Sequence, residues 1–171
     1  MKFVVLLLLP AWLAIAPCAF GAPRDPGARE AEFGRIRIYQ LLPRLFGNTN
    51  LTCAPNGSRE RNGCGRFADL NDNSLRSLRD LGITHVWLTG VHRQATRTEY
   101  PGLPADDPDI VKGSAGSPYA IHDYFDVCPD YATDPAKRLE EFDALVARCT
   151  ALGLRVILDF VPNHVARSYA S

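Results

Sequence analysis

One pattern occurs twice in this chain and constrains the fold more than any other feature. An amphipathic segment ends at a Leu-Gly pair, first Leu81-Gly82 and then Leu152-Gly153, and an apolar run begins shortly afterwards. Each unit predicts a helix that stops at a left-handed glycine and leads directly into a buried strand. With a first strand over residues 37–46, the predicted order is β-α-β-α-β. Such alternation favours an α/β fold with a parallel sheet, although it does not separate a closed barrel from an open doubly wound sheet.

Local signals indicate where these elements begin and end. The second strand is predicted over residues 83–89, and the third begins at Val156. Residues 90–132 hold most of the Gly, Pro and Asp and are predicted to form a long loop. The candidate helix caps are Asn71 or Asn73 for the first helix and Thr133 or Asp134 for the second, with Pro135 at its first position.

The amino terminus differs in character from the rest of the chain. Lys2 precedes an almost wholly apolar run from Phe3 to Ile15, and Ala19-Phe20-Gly21 supplies the small residues that a signal peptidase reads. The apolar run is too short for a membrane-spanning helix. Residues 1–21 are therefore predicted to be a secretory signal peptide and residues 22–34 a linker. The mature protein is expected to be secreted, with no membrane attachment after cleavage.

Four cysteines follow the predicted signal peptide, and an exported protein can keep disulfides. Cys53 and Cys64 bracket a loop that contains Pro55-Asn56-Gly57, which is compatible with a local disulfide. Cys149 lies on the apolar face of the second predicted helix, where a free thiol packs well. The pairing itself does not follow from the sequence.

Charge composition narrows the class of partner. Nineteen Lys and Arg residues balance nineteen Asp and Glu residues, so the formal net charge is zero. The chain has no basic stripe of the kind that binds a phosphate backbone, so no nucleic-acid partner is expected. A neutral partner is compatible with this composition.

The third predicted strand ends in a group of polar side chains. Asp159, Asn163 and His164 appear where the apolar residues of that strand run out. In parallel α/β folds, ligands bind at the carboxyl ends of the strands. A carboxylate, an amide and an imidazole at this place can bind hydroxyl groups, a hard cation, or both. The residues alone also allow an ordinary interpretation, in which Asp159 balances an arginine and Asn163 starts a turn.

These polar residues belong to a hexapeptide with a family resemblance. Residues 159–164 resemble the first signature of glycoside hydrolase family 13, the α-amylases, which reads Asp-x-Val-x-Asn-His, and all four fixed positions are present. Residues 39–46 resemble the family's first barrel strand. Ser117-Pro118-Tyr119, followed by Asp123-Tyr124, resembles the segment that carries a sugar-stacking tyrosine. The second strand also resembles that of the family, except that Gly90 stands where proline is frequent.

The resemblance implies which fold the chain has and which residues belong to it. Residues 35–171 are expected to form the amino-terminal part of a (β/α)8 TIM barrel, about three β/α units long. In the family the catalytic carboxylates follow later strands, so no catalytic residue is expected in this chain. The chain is therefore expected to be an inactive fragment of a longer enzyme.

The resemblance also implies roles for four residues. His164 is expected to hydrogen-bond the sugar in the subsite where cleavage occurs, and Tyr119 to stack on the same ring. Asn163 is expected to be one oxygen ligand of a structural calcium ion. Asp159 is expected to pair with an arginine that lies outside this chain. From the residues alone, Tyr119 also fits simple packing in a Pro-rich loop.

The expected activity of the parent protein is hydrolysis of α-1,4-glucosidic bonds in starch-like glucans, with retention of configuration. An α-glucan or oligosaccharide is thus the expected partner. Two alternatives stay open, namely a glucan transferase of the same family and a non-catalytic carbohydrate-binding relative. The sequence after residue 171 distinguishes the binding relative, because such a protein would lack the catalytic Asp and Glu.

The predicted signal peptide leads to a direct test. Amino-terminal sequencing of the exported protein should begin around Ala22 or Pro23, because cleavage is expected near the small residues that follow the apolar run. A mature protein that still begins at Met1 would refute the assignment.

Overall fold

A computed structural model describes residues 34–169, so the predicted signal peptide and nearly all of the predicted linker lie outside the described residues. Within this range the strands are β1 (Ile38–Leu41), β2 (His85–Leu88), β3 (His92–Gln94), β4 (Ile121–Val127) and β5 (Arg155–Leu158). The α-helices are α1 (Arg59–Asn62), α2 (Asp72–Asp80) and α3 (Arg138–Ala151). Short 3-10 helices lie at Phe67–Asp69, Pro108–Ile110, Pro129–Tyr131 and Pro135–Lys137.

Strands β1, β2 and β5 form a parallel sheet with β2 in the centre. Val86 of β2 pairs with Tyr39 on one side and with Val156 on the other. The α2 helix connects β1 to β2, and α3 precedes β5. The predicted α/β alternation and the parallel sheet are therefore confirmed.

The first strand is shorter than predicted. It ends at Leu41 rather than at Phe46, because Pro43 has no N–H to donate to a neighbouring strand. The amides of Leu45 and Phe46 instead donate to the carbonyl of Leu42, at 2.9 and 3.1 Å, and the chain turns there.

The helix ends follow the predicted signals. Asn71 is the N-cap of α2, and its side-chain oxygen accepts hydrogen bonds from two backbone amides at 3.0 and 3.1 Å. Gly82, just after this helix, has a φ of +81°, which a glycine adopts without strain. Asp134 caps the 3-10 helix Pro135–Lys137, which leads into α3, by accepting from the amide of Ala136 at 3.0 Å.

One face of the parallel sheet is covered by helices. The core on this face contains side chains from the sheet, from α2 and from α3. Its central members are Leu41, Val86, Leu88, Leu75, Leu78, Leu145 and Cys149. Arg148 links α3 to the 3-10 helix at residues 67–69, because its guanidinium donates to the carbonyls of Phe67 and Leu70 at 2.9 and 3.2 Å.

The other face of the parallel sheet is less well covered. Side chains alternate along a strand, so Ile38, Gln40, Trp87 and Ile157 lie on this second face. Ile38 is 49% exposed, and the indole N–H of Trp87 has no hydrogen-bond partner among residues 34–169. In a TIM barrel this face is the barrel interior. The three parallel strands of the described residues do not close a barrel.

A second sheet lies in the region that was predicted to be one long loop. Strands β3 and β4 pair antiparallel, with register shifts on both sides of Arg93. The prediction of a continuous loop over residues 90–132 is therefore wrong. Asp126 ties this sheet to α3, because its carboxylate accepts two hydrogen bonds from Arg138 at 2.7 and 2.9 Å.

Cys53, Cys64, Cys128 and Cys149 are free thiols, so the local disulfide considered for Cys53 and Cys64 is not present. Burial raises the pKa of Cys64 to about 11, which keeps this thiol protonated at neutral pH. Between residues 34 and 169, no helix combines the length and the apolar character needed to cross a membrane.

The uneven cover of the parallel sheet predicts how residues 35–171 behave when they are produced alone. Apolar side chains on the open face should bind a hydrophobic dye and cause aggregation. Ile38→Ala should reduce both effects, because Ile38 is 49% exposed on that face. The matched change Leu88→Ala, on the face that the helices cover, should increase aggregation, because Leu88 is fully buried. A soluble, dye-free monomer that unfolds cooperatively would contradict this account.

Candidate functional site

The carboxyl ends of the parallel strands bring polar side chains to one edge of the sheet. The amide of Thr89 donates to the carbonyl of Leu41 at 2.9 Å, and that of Asp159 to Leu88 at 3.3 Å, so both residues extend the ladder. Alternation places their side chains on the face that the helices do not cover. On this face the Gln40 amide donates to the Thr89 hydroxyl at 2.9 Å. Asp159 therefore lies where a barrel enzyme binds its ligand.

Asp159 has no salt bridge within the part of the chain that the structure describes. The ordinary interpretation, in which Asp159 balances an arginine, finds no support among these residues. The charge of the Asp159 carboxylate instead affects the pKa of His92. Burial lowers the pKa of His92, and the backbone of Tyr124 and the carboxylates of Asp159 and Asp123 oppose this effect. The net direction favours a neutral His92 imidazole at neutral pH.

Asn163 and His164 lie together in the segment that follows β5. Both are exposed, and the Asn163 Oδ1 atom lies 3.1 Å from the His164 Nδ1 atom. This contact orients the ring through one nitrogen. The other nitrogen, Nε2, has no hydrogen-bond partner among the described residues and is available to a ligand hydroxyl.

Asn163, the expected calcium ligand, has few other metal-binding side chains near it within the described part of the chain. No group of three or more His, Cys, Asp or Glu residues between positions 34 and 169 is arranged to hold a metal ion. Asn163 offers one amide oxygen, whereas calcium takes roughly six to eight oxygen ligands. Among the described residues, Asn163 thus supplies one amide oxygen that is suited to calcium, and no cluster of carboxylates accompanies it.

Tyr119 lies in a turn before β4 and is 42% exposed. The turn packs against the end of β2, because a Cβ atom at Gly90 would overlap Pro118. Gly90 has a φ of +71°, which proline cannot adopt. No hydrogen bond or ring contact between described residues joins Tyr119 to Asp159 or His164.

Sequence reasoning missed an aromatic group beside Asp159, formed by His92, Tyr124, Phe160 and Tyr169. The ring of Tyr124 lies 5.7 Å from His92, 5.2 Å from Phe160 and 6.2 Å from Tyr169, measured between centroids. These residues come from three separate parts of the chain, so no local pattern joins them. Two matches pointed to this region, Asp123-Tyr124 and the hexapeptide 159–164, which contains Phe160.

A buried ion pair joins the loops that follow β1 and β4. The Arg44 guanidinium lies 3.2 Å from the Asp130 carboxylate, whose side chain is 1% exposed. The Tyr100 hydroxyl also donates to Asp130, and it accepts from Arg59 at 3.0 Å. Burial and the Asp130 carboxylate raise the pKa of Tyr100, so its hydroxyl stays protonated. A cavity of about 240 Å³ beside this pair includes Arg97 but none of the four predicted site residues.

Comparison with known proteins identifies the family. The sequence profile of the α-amylase catalytic domain matches residues 40–171.

The chain belongs to the α-amylase family.

The resemblance to glycoside hydrolase family 13 is therefore confirmed. Maltase 1 of Drosophila virilis is 33% identical over 127 residues, which are 74% of this chain and 15% of that protein. Trehalose-6-phosphate hydrolase of Bacillus subtilis is 28% identical over 134 residues, which are 77% of this chain and 18% of that protein. The chain thus spans less than a fifth of the length of these α-amylase family relatives.

A solved structure agrees with the fold. The crystal structure of an α-amylase from Lactobacillus plantarum superimposes with a TM-score of 0.53 and 30% sequence identity, over 78% of this chain and 24% of that one. The parallel strands β1, β2 and β5 are consistent with the amino-terminal portion of such a barrel.

Proposed function

We propose that this chain is part of a secreted glycosidase that hydrolyses α-1,4-linked glucans or oligosaccharides with retention of configuration. One observation carries the proposal. Asp159 and the Asn163-His164 pair follow β5 at the carboxyl end of the parallel sheet, which is the substrate end of a TIM barrel. Relatives named maltase and α-amylase support an α-glucosidic substrate. Another relative is named for trehalose-6-phosphate, so this compound belongs in the substrate assays.

In this proposal the described residues bind and orient the sugar, and the two carboxylates of a retaining mechanism come from other parts of the longer protein. His164 uses Nε2 to hydrogen-bond a hydroxyl of the sugar ring being cleaved, while Nδ1 is held by Asn163. This bond orients the ring and transfers no proton. The exposed face of Tyr119 stacks on the C–H face of the same ring.

Asp159 has a supporting role in the same proposal. Its carboxylate is partly buried, and it lacks an ion pair among the described residues. An arginine from a later strand of the barrel would satisfy this charge and hold the floor of the site. Asn163 would contribute one amide oxygen to a structural calcium ion whose other ligands lie elsewhere in the protein.

The role of His164 predicts a kinetic effect in the complete protein. His164→Ala should raise the activation free energy by about 1.5–3 kcal/mol, because one hydrogen bond that strengthens in the transition state is lost. The value of kcat/KM on maltotriose or starch should then fall by about ten- to more than a hundredfold. The melting temperature should change little, because His164 is exposed.

The conservative variant His164→Gln provides the matched control. It keeps a side-chain amide that can hydrogen-bond a sugar hydroxyl near the same place, and it should recover part of the lost kcat/KM. Wild-type kcat/KM for His164→Ala on maltose, maltotriose, starch and trehalose-6-phosphate alike would show that the assigned role is wrong.

The proposed calcium ligand predicts an effect on stability rather than on chemistry. Chelation should lower the melting temperature of the wild-type protein, because an ion that binds only the folded state stabilises it. Asn163→Ala should lower the melting temperature in buffer, and a large excess of calcium should partly restore it. Identical melting of the wild type and Asn163→Ala at every calcium concentration would exclude Asn163 as a ligand.

A further inference from the structure

Strand β4 holds the segment that carries His164 at two points. The Tyr124 hydroxyl donates to the carbonyl of Val161 at 2.5 Å, and the amide of Ala166 donates to the carbonyl of Ile121 at 2.8 Å. One contact precedes His164 in the chain and the other follows it. The segment between them has no helix or strand of its own, so it relies on contacts such as these two bonds for its position.

A third contact comes from the same strand. The Nδ1 atom of His122 lies 3.1 Å from the Ser168 hydroxyl and 3.2 Å from the Asp106 carboxylate. Asp106 is fixed in turn, because it accepts a hydrogen bond from the amide of Thr96 at 2.9 Å. His122 and Tyr124 are two residues apart on a strand, so their side chains lie on the same face of β4. That face therefore meets the segment after β5.

The ring of Tyr124 is itself held in place. His92, Phe160 and Tyr169 surround it, at centroid distances between 5.2 and 6.2 Å. These ring contacts limit rotation about the Tyr124 side-chain bonds and so restrict the direction of its hydroxyl. The same hydroxyl lies 3.5 Å from the carbonyl of His164, at the limit of a hydrogen bond. The Val161 carbonyl is therefore its main acceptor.

We propose that Tyr124 is a positioning residue that fixes the His164 imidazole at the substrate site. This inference rests on the proposed function of His164 and extends it to a residue that need not touch substrate. The Tyr124 hydroxyl restrains the main chain at Val161, three residues before His164, whose side chain carries the imidazole. A misplacement of about 1 Å in a binding group is enough to cost a large part of its contribution to catalysis.

A double-mutant cycle in the complete protein tests this inference. Tyr124→Phe removes only the hydroxyl and keeps the ring contacts with His92, Phe160 and Tyr169. In the wild-type background it should lower kcat/KM on maltotriose by about tenfold. In the His164→Ala background it should lower kcat/KM by less than about twofold, because the group that Tyr124 positions is already absent.

Tyr169→Phe is the matched control. Its ring belongs to the same aromatic group, and its hydroxyl makes no hydrogen bond within residues 34–169, so kcat/KM should be that of the wild type. Two results would overturn the positioning role alone: wild-type kcat/KM for Tyr124→Phe, or an equal loss in both backgrounds. An unchanged kcat/KM for His164→Ala would instead overturn the proposed function, and this inference with it.

Discussion

Burial of one face of the parallel sheet against α2 and α3 is the interaction on which the other features depend. Side chains alternate along a strand, so a register that places Leu88 and Val156 against the helices also determines the face on which their neighbours lie. Trp87, Ile157 and then Asp159 must lie on the opposite face. A shift of one residue in strand register would place Leu88 on the uncovered face. It would also point the Asp159 side chain toward the helices, where an unpaired carboxylate is costly. The hydrophobic core thus decides which polar groups lie at the edge where the parallel strands end.

The loops at that edge are held by a second set of interactions. The buried Arg44–Asp130 pair connects the loop after β1 to the region after β4, and the Asp126–Arg138 pair connects β4 to α3. Strand β4 in turn bonds the segment after β5 on both sides of His164. A segment without regular structure is therefore attached to a small sheet, and that sheet is attached to the helix layer. This chain of contacts lets loop residues keep a defined geometry.

The sequence was informative where the determining interactions are local. The helix caps at Asn71 and Asp134, the left-handed Gly82 and the apolar strand runs all follow from short patterns, and the structure contains each of them. The start of the candidate site at Asp159 followed from its place at the end of an apolar strand. The predicted end of β1 is wrong because bulky apolar residues continue past Pro43 and look like strand residues. A proline has no N–H and cannot continue the hydrogen bonding between strands.

The parts that sequence reasoning missed depend on contacts between distant residues. Strand β3 is short and shifted in register, and its partner β4 lies far along the chain, so the Gly- and Pro-rich surroundings suggested a loop. Tyr124 carried no sign of its bond to Val161, because that bond exists only once β4 and the segment after β5 meet. The family resemblance suggested roles for His164 and Tyr119, but the contacts and exposure of their side chains could be described only from the fold.

A crystal structure of the complete protein with a bound α-linked oligosaccharide tests the central claim most directly. We expect β1, β2 and β5 to form one side of a closed barrel, with one sugar ring stacked on Tyr119 at roughly 4 Å and hydrogen-bonded to His164 at roughly 3 Å. An oligosaccharide bound away from the carboxyl end of β5, with neither residue in contact with it, would contradict the account.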